Sequence, residues 1–93
     1  MENTKHMHFT LTGRVQRVGM RFFISRTAKK LDLTGYVKNQ RDGSVKGVVV
    51  GDDKVLDTFI HRVKEESPGS IDAFEYEIHP SDTDYRTFKV KHF

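Results

Sequence analysis

The chain has 93 residues, with 16 Lys and Arg against 13 Asp and Glu, and no cysteine. That length suits one domain without spare core for a deep pocket, so an active site is expected as a surface notch of loops and backbone. The lack of cysteine excludes disulfides, thiolate metal sites and thiol nucleophiles, and a net charge of +3 favours small anions without marking a polybasic face.

The opening stretch MENTKHMHF holds no apolar run of signal-peptide length, and no segment approaches the roughly 20 apolar residues of a membrane span. A cytoplasmic protein that engages no membrane is the expectation. Positions 7–12 set Met7, Phe9 and Leu11 against His8, Thr10 and Thr12, a period of two that predicts a half-buried strand. Met20, Ile24, Ala28 and Leu31 then recur at helical spacing, with Arg26, Lys29 and Lys30 mostly outward. Phe22 and Phe23 straddle that stripe, so at least one is expected partly exposed, and core packing is favoured there over a substrate contact.

The run TGYVKNQRDGSVKGVVVG predicts a hairpin, with strands Tyr36–Asn39 and Ser44–Val50 about a reversal at Asp42-Gly43. Asp52 and Asp53 precede Val55, Leu56, Phe59, Ile60 and Val63, which predicts a helix with acids in its first turn, stopped by SPG at 67–69. Phe74, Tyr76 and Ile78 alternate as a further strand, PSDTD at 80–84 is a loop, and Phe88 and Val90 fit a short last strand. The order βαββαβ describes an α+β fold, a ferredoxin-like split βαβ sandwich with two helices on one antiparallel sheet, in a single domain over 1–93. That fold hosts many unrelated functions, so function must be argued from a site.

The segment GRVQRVGMR at 13–21 joins the first strand to the first helix. Backbone N–H groups converging ahead of a helix N-terminus make an anion site, and Gly13 and Gly19 permit tight backbone paths. Arg21, at the helix start, adds a planar charged fork suited to phosphate oxygens. Yet five residues separate the glycines and no Lys-Ser follows, so this is neither a P-loop nor a G-x-G-x-x-G. On spacing, a phosphate cradle and a glycine-permitted turn with solvated arginines both remain open.

Taken together, LTGRVQRVGMR and GYVKNQRDGSVKGVVVG resemble the two signatures of the acylphosphatase family, in order and on the expected elements. Gly13, Val15, Gln16, Val18 and Arg21 match the first; Gly35, Tyr36, Val37, Lys38, Asn39, Gly43, Val45 and Gly51 match the second. The resemblance covers nearly the whole chain. It implies that Arg21 binds phosphate, that Asn39 holds the attacking water, and that the backbone of Gln16, Arg17, Val18, Gly19 and Met20 forms the cradle. The implied substrate is a small acyl phosphate, hydrolysed to carboxylate and phosphate by a monomer that uses no metal or cofactor and binds no nucleic acid. An acyl phosphate, or phosphate or another oxyanion in the loop, is therefore the expected partner.

Arg17 stands where that family normally has glycine. If the position needs positive φ, a side chain there costs on the order of 1 kcal/mol. The loop is then strained, or it tolerates an arginine directed to solvent. Met20 replaces a common phenylalanine and is expected to pack beneath the loop. His6 and His8 share a strand face without an identifiable third ligand and are read as solvated. Lys38 is read as a solvated strand lysine, Tyr36 as packed with its hydroxyl at the rim, and Glu65 and Glu66 as solvated. The rival reading is a ferredoxin-like module that binds phosphate or nucleic acid without turnover, although VKGVVVGD lacks the stacking aromatics of an RNA-recognition strand.

Overall fold

The computed structural model describes residues 4–81 and 85–91, so the last three residues of the expected PSDTD loop lie outside the described residues. The alternating run at the start belongs to β1 (Thr4–Arg14), which buries Met7, Phe9 and Leu11. After it come α1 (Met20–Lys30), β2 (Thr34–Asn39), β3 (Val45–Asp52), α2 (Asp53–Glu66), β4 (Ser70–Pro80) and β5 (Phe88–Lys91). The strands lie in the order β4-β1-β3-β2-β5.

β1 runs antiparallel to β3 and β4, and β2 antiparallel to β3, as expected of the split βαβ arrangement. The sheet departs from wholly antiparallel at one edge, where β5 pairs parallel with β2. The reason is directional: a chain that reverses after β4 runs with β1 and β2, so its arrival beside β2 produces a parallel pair. Edge strand β4 carries Glu75, Glu77 and His79 exposed, charge that discourages further strand pairing.

β3 breaks strict alternation, with Val48, Val49 and Val50 all buried. It lies between β1 and β2, and Val48 sits in register between His8 and Tyr36 on the face away from the helices. The helix-bearing face centres on Phe9, whose ring meets Phe59 of α2 at 5.8 Å and Phe74 of β4 at 6.2 Å between centroids. α1 contributes Met20, Ile24 and Ala28 to this core, and α2 contributes Leu56, Phe59, Ile60 and Val63.

The helix ends differ in ways that matter for the site. α1 finishes in a Schellman motif, with Leu33 N–H donating to Ala28 O at 2.8 Å and Asp32 N–H to Lys29 O at 3.1 Å. Asp32 takes the left-handed position at φ 57°, a place more often filled by glycine. At the start of α2, the Asp52 carboxylate accepts from Lys54 N–H at 3.0 Å, and Asp53 adds a second acid to the first turn. Among the described residues, no helix is long and apolar enough to cross a membrane.

Candidate active site

Between β1 and α1 the backbone is shaped by where its apolar side chains go. A register shift against β4 between Thr12 and Gly13 turns the chain out of the sheet. Val15 and Met20 are each only 1% exposed, and Val18 packs against the core between them. These anchors hold Gln16, Arg17 and Gly19 at the outer side of the loop.

Arg17 has φ 62° and Gly19 φ 85°; among the described residues the other non-glycine at positive φ is Asp32, so Gln16 and Val18 keep negative φ. Alternation of sign from residue to residue aims successive N–H groups into one concavity, the geometry of an anion-binding nest. Among the described residues, none of the N–H groups of Gln16 to Gly19 donates to another protein group. The nest opens on α1, whose N-cap is Gly19, with no side-chain cap and no acid in the first turn. The contrast with α2 is direct: there two aspartates occupy the positive end, whereas α1 carries Arg21 in its first turn. A cation at that end is unfavourable unless an anion joins it.

The SPG turn supports the nest from below as well as ending α2. Gly69 has φ 81°, and a Cβ there would lie 2.2 Å from Arg14 O and 2.9 Å from Val18 Cγ2. Only a residue without a side chain allows that approach.

Two hydrogen-bonded ties bring Asn39 to this loop. The Gln16 side-chain amide donates to Gln40 O at 2.7 Å and to Ser44 O at 2.9 Å, which uses both of its N–H groups on the β2–β3 turn. The turn is itself closed, with Gln40 N–H on Ser44 O at 2.8 Å and the Asp42 carboxylate accepting from Ser44 N–H and Oγ at 2.9 and 2.6 Å. Those Ser44 bonds hold the Asp42 carboxyl below its usual range. From the other side, Arg21 Nη1 donates to Lys91 O at 3.2 Å, and Lys91 pairs with Lys38. Asn39 thus stands between Lys38 and Gln40, each tied to the loop or to Arg21. It shares the helix-bearing face of β2 with buried Val37 and is half-buried.

The structure thus sets Gln16, Arg17, Val18, Gly19, Met20 and Arg21 along the loop and the helix start that follows it, with Gln40, the neighbour of Asn39, held against Gln16. Met20 packs beneath the loop as expected. Sequence reasoning named Gln16 only for its backbone and missed its side-chain tie, along with Gln40, Ser44 and Lys91. The signal was weak, since a glutamine near a turn has many partners. Lys38 lies on the opposite sheet face in register with Lys46, away from the loop. On that face His79 joins His6 and His8, with ring centroids 5.5 and 4.9 Å from His6, a neighbour that strand spacing did not reveal.

Arg17 meets both conditions raised by its sequence position: its φ is positive and its side chain is exposed. The left-handed conformation costs a non-glycine residue about 1–2 kcal/mol. Glycine relieves that cost but gains conformational freedom in the unfolded chain, an offset of about 0.4–1 kcal/mol. Arg17→Gly is accordingly expected to stabilise the protein by about 0.5–1 kcal/mol and to raise Tm by roughly 3–6 °C. Thermal and urea melts of the two proteins check this; an unchanged or lower midpoint contradicts the strain.

Comparison with known proteins finds relatives in sequence and in fold. A family model described as Acylphosphatase matches residues 7–90. The chain is 40% identical over 77 residues to an acylphosphatase of Rhodopseudomonas palustris, covering 71% of this chain and 78% of that protein. It is 55% identical over 51 residues to one from Actinobacillus succinogenes, covering 55% of this chain and 57% of that protein. Its fold superposes on the crystal structure of acylphosphatase from Bacillus subtilis with TM-score 0.89 and 31% identity, over 94% of this chain and 98% of that one.

Proposed function

The chain belongs to the acylphosphatase family, and from that premise we propose that it hydrolyses acyl phosphates at the loop between β1 and α1. The observation that carries the reading is the sign-alternating nest at Gln16–Gly19, open on an acid-free helix start and tied by Gln16 to the residue after Asn39. In this reading the nest N–H groups and the Arg21 guanidinium hold the phosphoryl oxygens. Their donors meet the charge that spreads over the equatorial oxygens in the transition state. Asn39 orients a water in line with the bond to be broken.

The reaction then needs little proton chemistry. The water oxygen attacks phosphorus, the bond between phosphorus and the bridging oxygen breaks, and the carboxylate departs with the electron pair. A carboxylate whose conjugate acid has a pKa of about 4 leaves without a general acid. The Asn39 amide is no useful base, so the proton of the attacking water passes to a phosphoryl oxygen. Products are a carboxylate and phosphate. All the charge stabilisation comes from backbone N–H groups and Arg21, so no metal is required.

Purified protein is expected to hydrolyse benzoyl phosphate well above the spontaneous rate, equally with and without EDTA. A rate no higher than the blank overturns the reading in favour of a phosphate-binding module without turnover. Loss of activity in EDTA, restored by a divalent cation, overturns the metal-independent mechanism alone.

A further inference from the structure

Both helices pack on one face of the sheet, and the opposite face is divided by charge. In register across it, Lys46 of β3 lies beside Lys38 of β2, and Lys38 beside Lys91 of β5. Neighbouring strands lie about 5 Å apart, so three lysines stem from a single row. In the next row Tyr36 stands between Val48 and Lys89. Like charges directly opposite one another weaken a strand pair, and an anion laid across them relieves the repulsion. Among the described residues, no carboxylate pairs with any of these four lysines. The acids of this face, Glu75 and Glu77, stand on β4 beyond β1, so the basic half runs from β3 to the β5 edge.

Aromatic rings accompany that charge. The Tyr36 and Tyr85 ring centroids are 6.1 Å apart, and Lys91 Nζ lies 4.2 Å from the centroid of Tyr36. The two tyrosines, Arg86, Lys89 and Lys91 border a hollow of about 460 Å³, and no described residue lining it carries a carboxylate. The VKGVVVGD segment has no aromatic of its own; Tyr36 supplies one from the neighbouring strand, in register with Val48. An acidic peptide would engage the lysines and leave the rings idle. A single-stranded nucleic acid uses both, since its phosphates follow a basic track while its bases stack on aromatic side chains.

We propose that this open sheet face binds single-stranded nucleic acid. Lys38, Lys46, Lys89 and Lys91 contact the backbone phosphates, and Tyr36 and Tyr85 stack on bases. Lys91 exchanges its place over the Tyr36 ring for a phosphate, which frees that ring for a base. Charge and stacking tolerate any sequence, so binding is non-specific and strongly salt-dependent. This departs from the absence of nucleic acid that the family resemblance implied. The site lies on the sheet face away from the nest, and it stands whether or not the nest hydrolyses acyl phosphates.

Fluorescence anisotropy with labelled oligo(dT) of about 12 nucleotides, at a series of salt concentrations, tests it. The wild type is expected to bind in the micromolar range at low salt. A log–log salt slope of about −3 follows from about 0.7 for each of four phosphate contacts. The double variant Lys38→Gln/Lys46→Gln is expected to bind about tenfold more weakly and to lose about 1.4 of that slope. Tyr85→Ala and Tyr36→Leu are each expected to weaken binding about fivefold or more with the slope unchanged. Tyr85 lies outside the strands, so Tyr85→Ala carries the test if Tyr36→Leu fails to fold, which thermal melting reports. No binding by the wild type at low salt overturns the proposal. An affinity and slope unchanged in the double lysine variant place the oligonucleotide elsewhere and overturn it as well. Undiminished binding by Tyr85→Ala, with inorganic polyphosphate competing as well as oligo(dT), reduces the face to a charged patch and also overturns it.

Discussion

Arg21→Ala is expected to lower kcat/KM for benzoyl phosphate by about 10³-fold, roughly 4 kcal/mol of transition-state stabilisation, while the protein remains folded. Removal of one oxyanion donor typically costs 10²–10³-fold, and a permanently charged fork belongs at the upper end of that range. Arg21 sits in the first turn of a helix with no acid near its N-terminus, so its charge and the helix dipole act on the same ligand. Its Nη1 hydrogen bond to Lys91 O is exposed, and loss of such a bond removes about 1 kcal/mol or less. Thermal melting therefore separates a folding defect from a catalytic one. Arg21→Lys retains a point charge without the bidentate fork and is expected to recover only part of the rate. Steady-state kinetics on the three proteins decide the matter. An Arg21→Ala rate comparable to wild type sinks the proposed role.

Asn39→Ala is expected to lower kcat by about 10²-fold or more with little change in KM, because a misplaced nucleophile loses rate rather than ground-state binding. Asn39 shares the helix-bearing face with Val37 at the end of β2, and the turn that follows is held to the nest by Gln16. Asn39→Asp sharpens the interpretation. A carboxylate can accept a proton from water, but it repels the phosphoryl oxygens and loses the amide donors. The aspartate variant is expected to be impaired as well. Recovery to the wild-type rate would show that the position works as a general base, contrary to the mechanism. A rise in KM with kcat intact would instead assign Asn39 to substrate binding.

Much of this architecture is legible along the chain because local periodicity reports which face of an element is apolar. Met7, Phe9 and Leu11 at a spacing of two, and Met20, Ile24 and Ala28 at helical spacing, point to the faces that are buried. The exceptions have physical causes. Val48 and Val50 break the alternation because each lies on a central strand between residues of both flanking strands, Val48 between His8 and Tyr36 and Val50 between His6 and Thr34. Asp32 ended α1 without a glycine because its left-handed φ is repaired by the two Schellman hydrogen bonds. The parallel β5 escaped the βαββαβ order because whether its pairing is parallel depends on which edge the returning chain reaches.

The candidate site divides along the same line. Its residue types and their order were readable without coordinates: glycines and arginines in one loop, an asparagine at the end of one strand, a basic residue opening a helix. Their assembly was not readable. Arg21 is held by a carbonyl 70 residues away, and the Gln16 amide reaches carbonyls 24 and 28 residues away. Exposure of Phe22 rather than Phe23 followed from how α1 settles on the sheet, a choice between adjacent phenylalanines that hydrophobicity alone cannot make. Periodicity encodes the face an element buries, because that depends on its own side chains. Which atom lies opposite depends on elements distant in sequence, and packing the whole chain is what selects it.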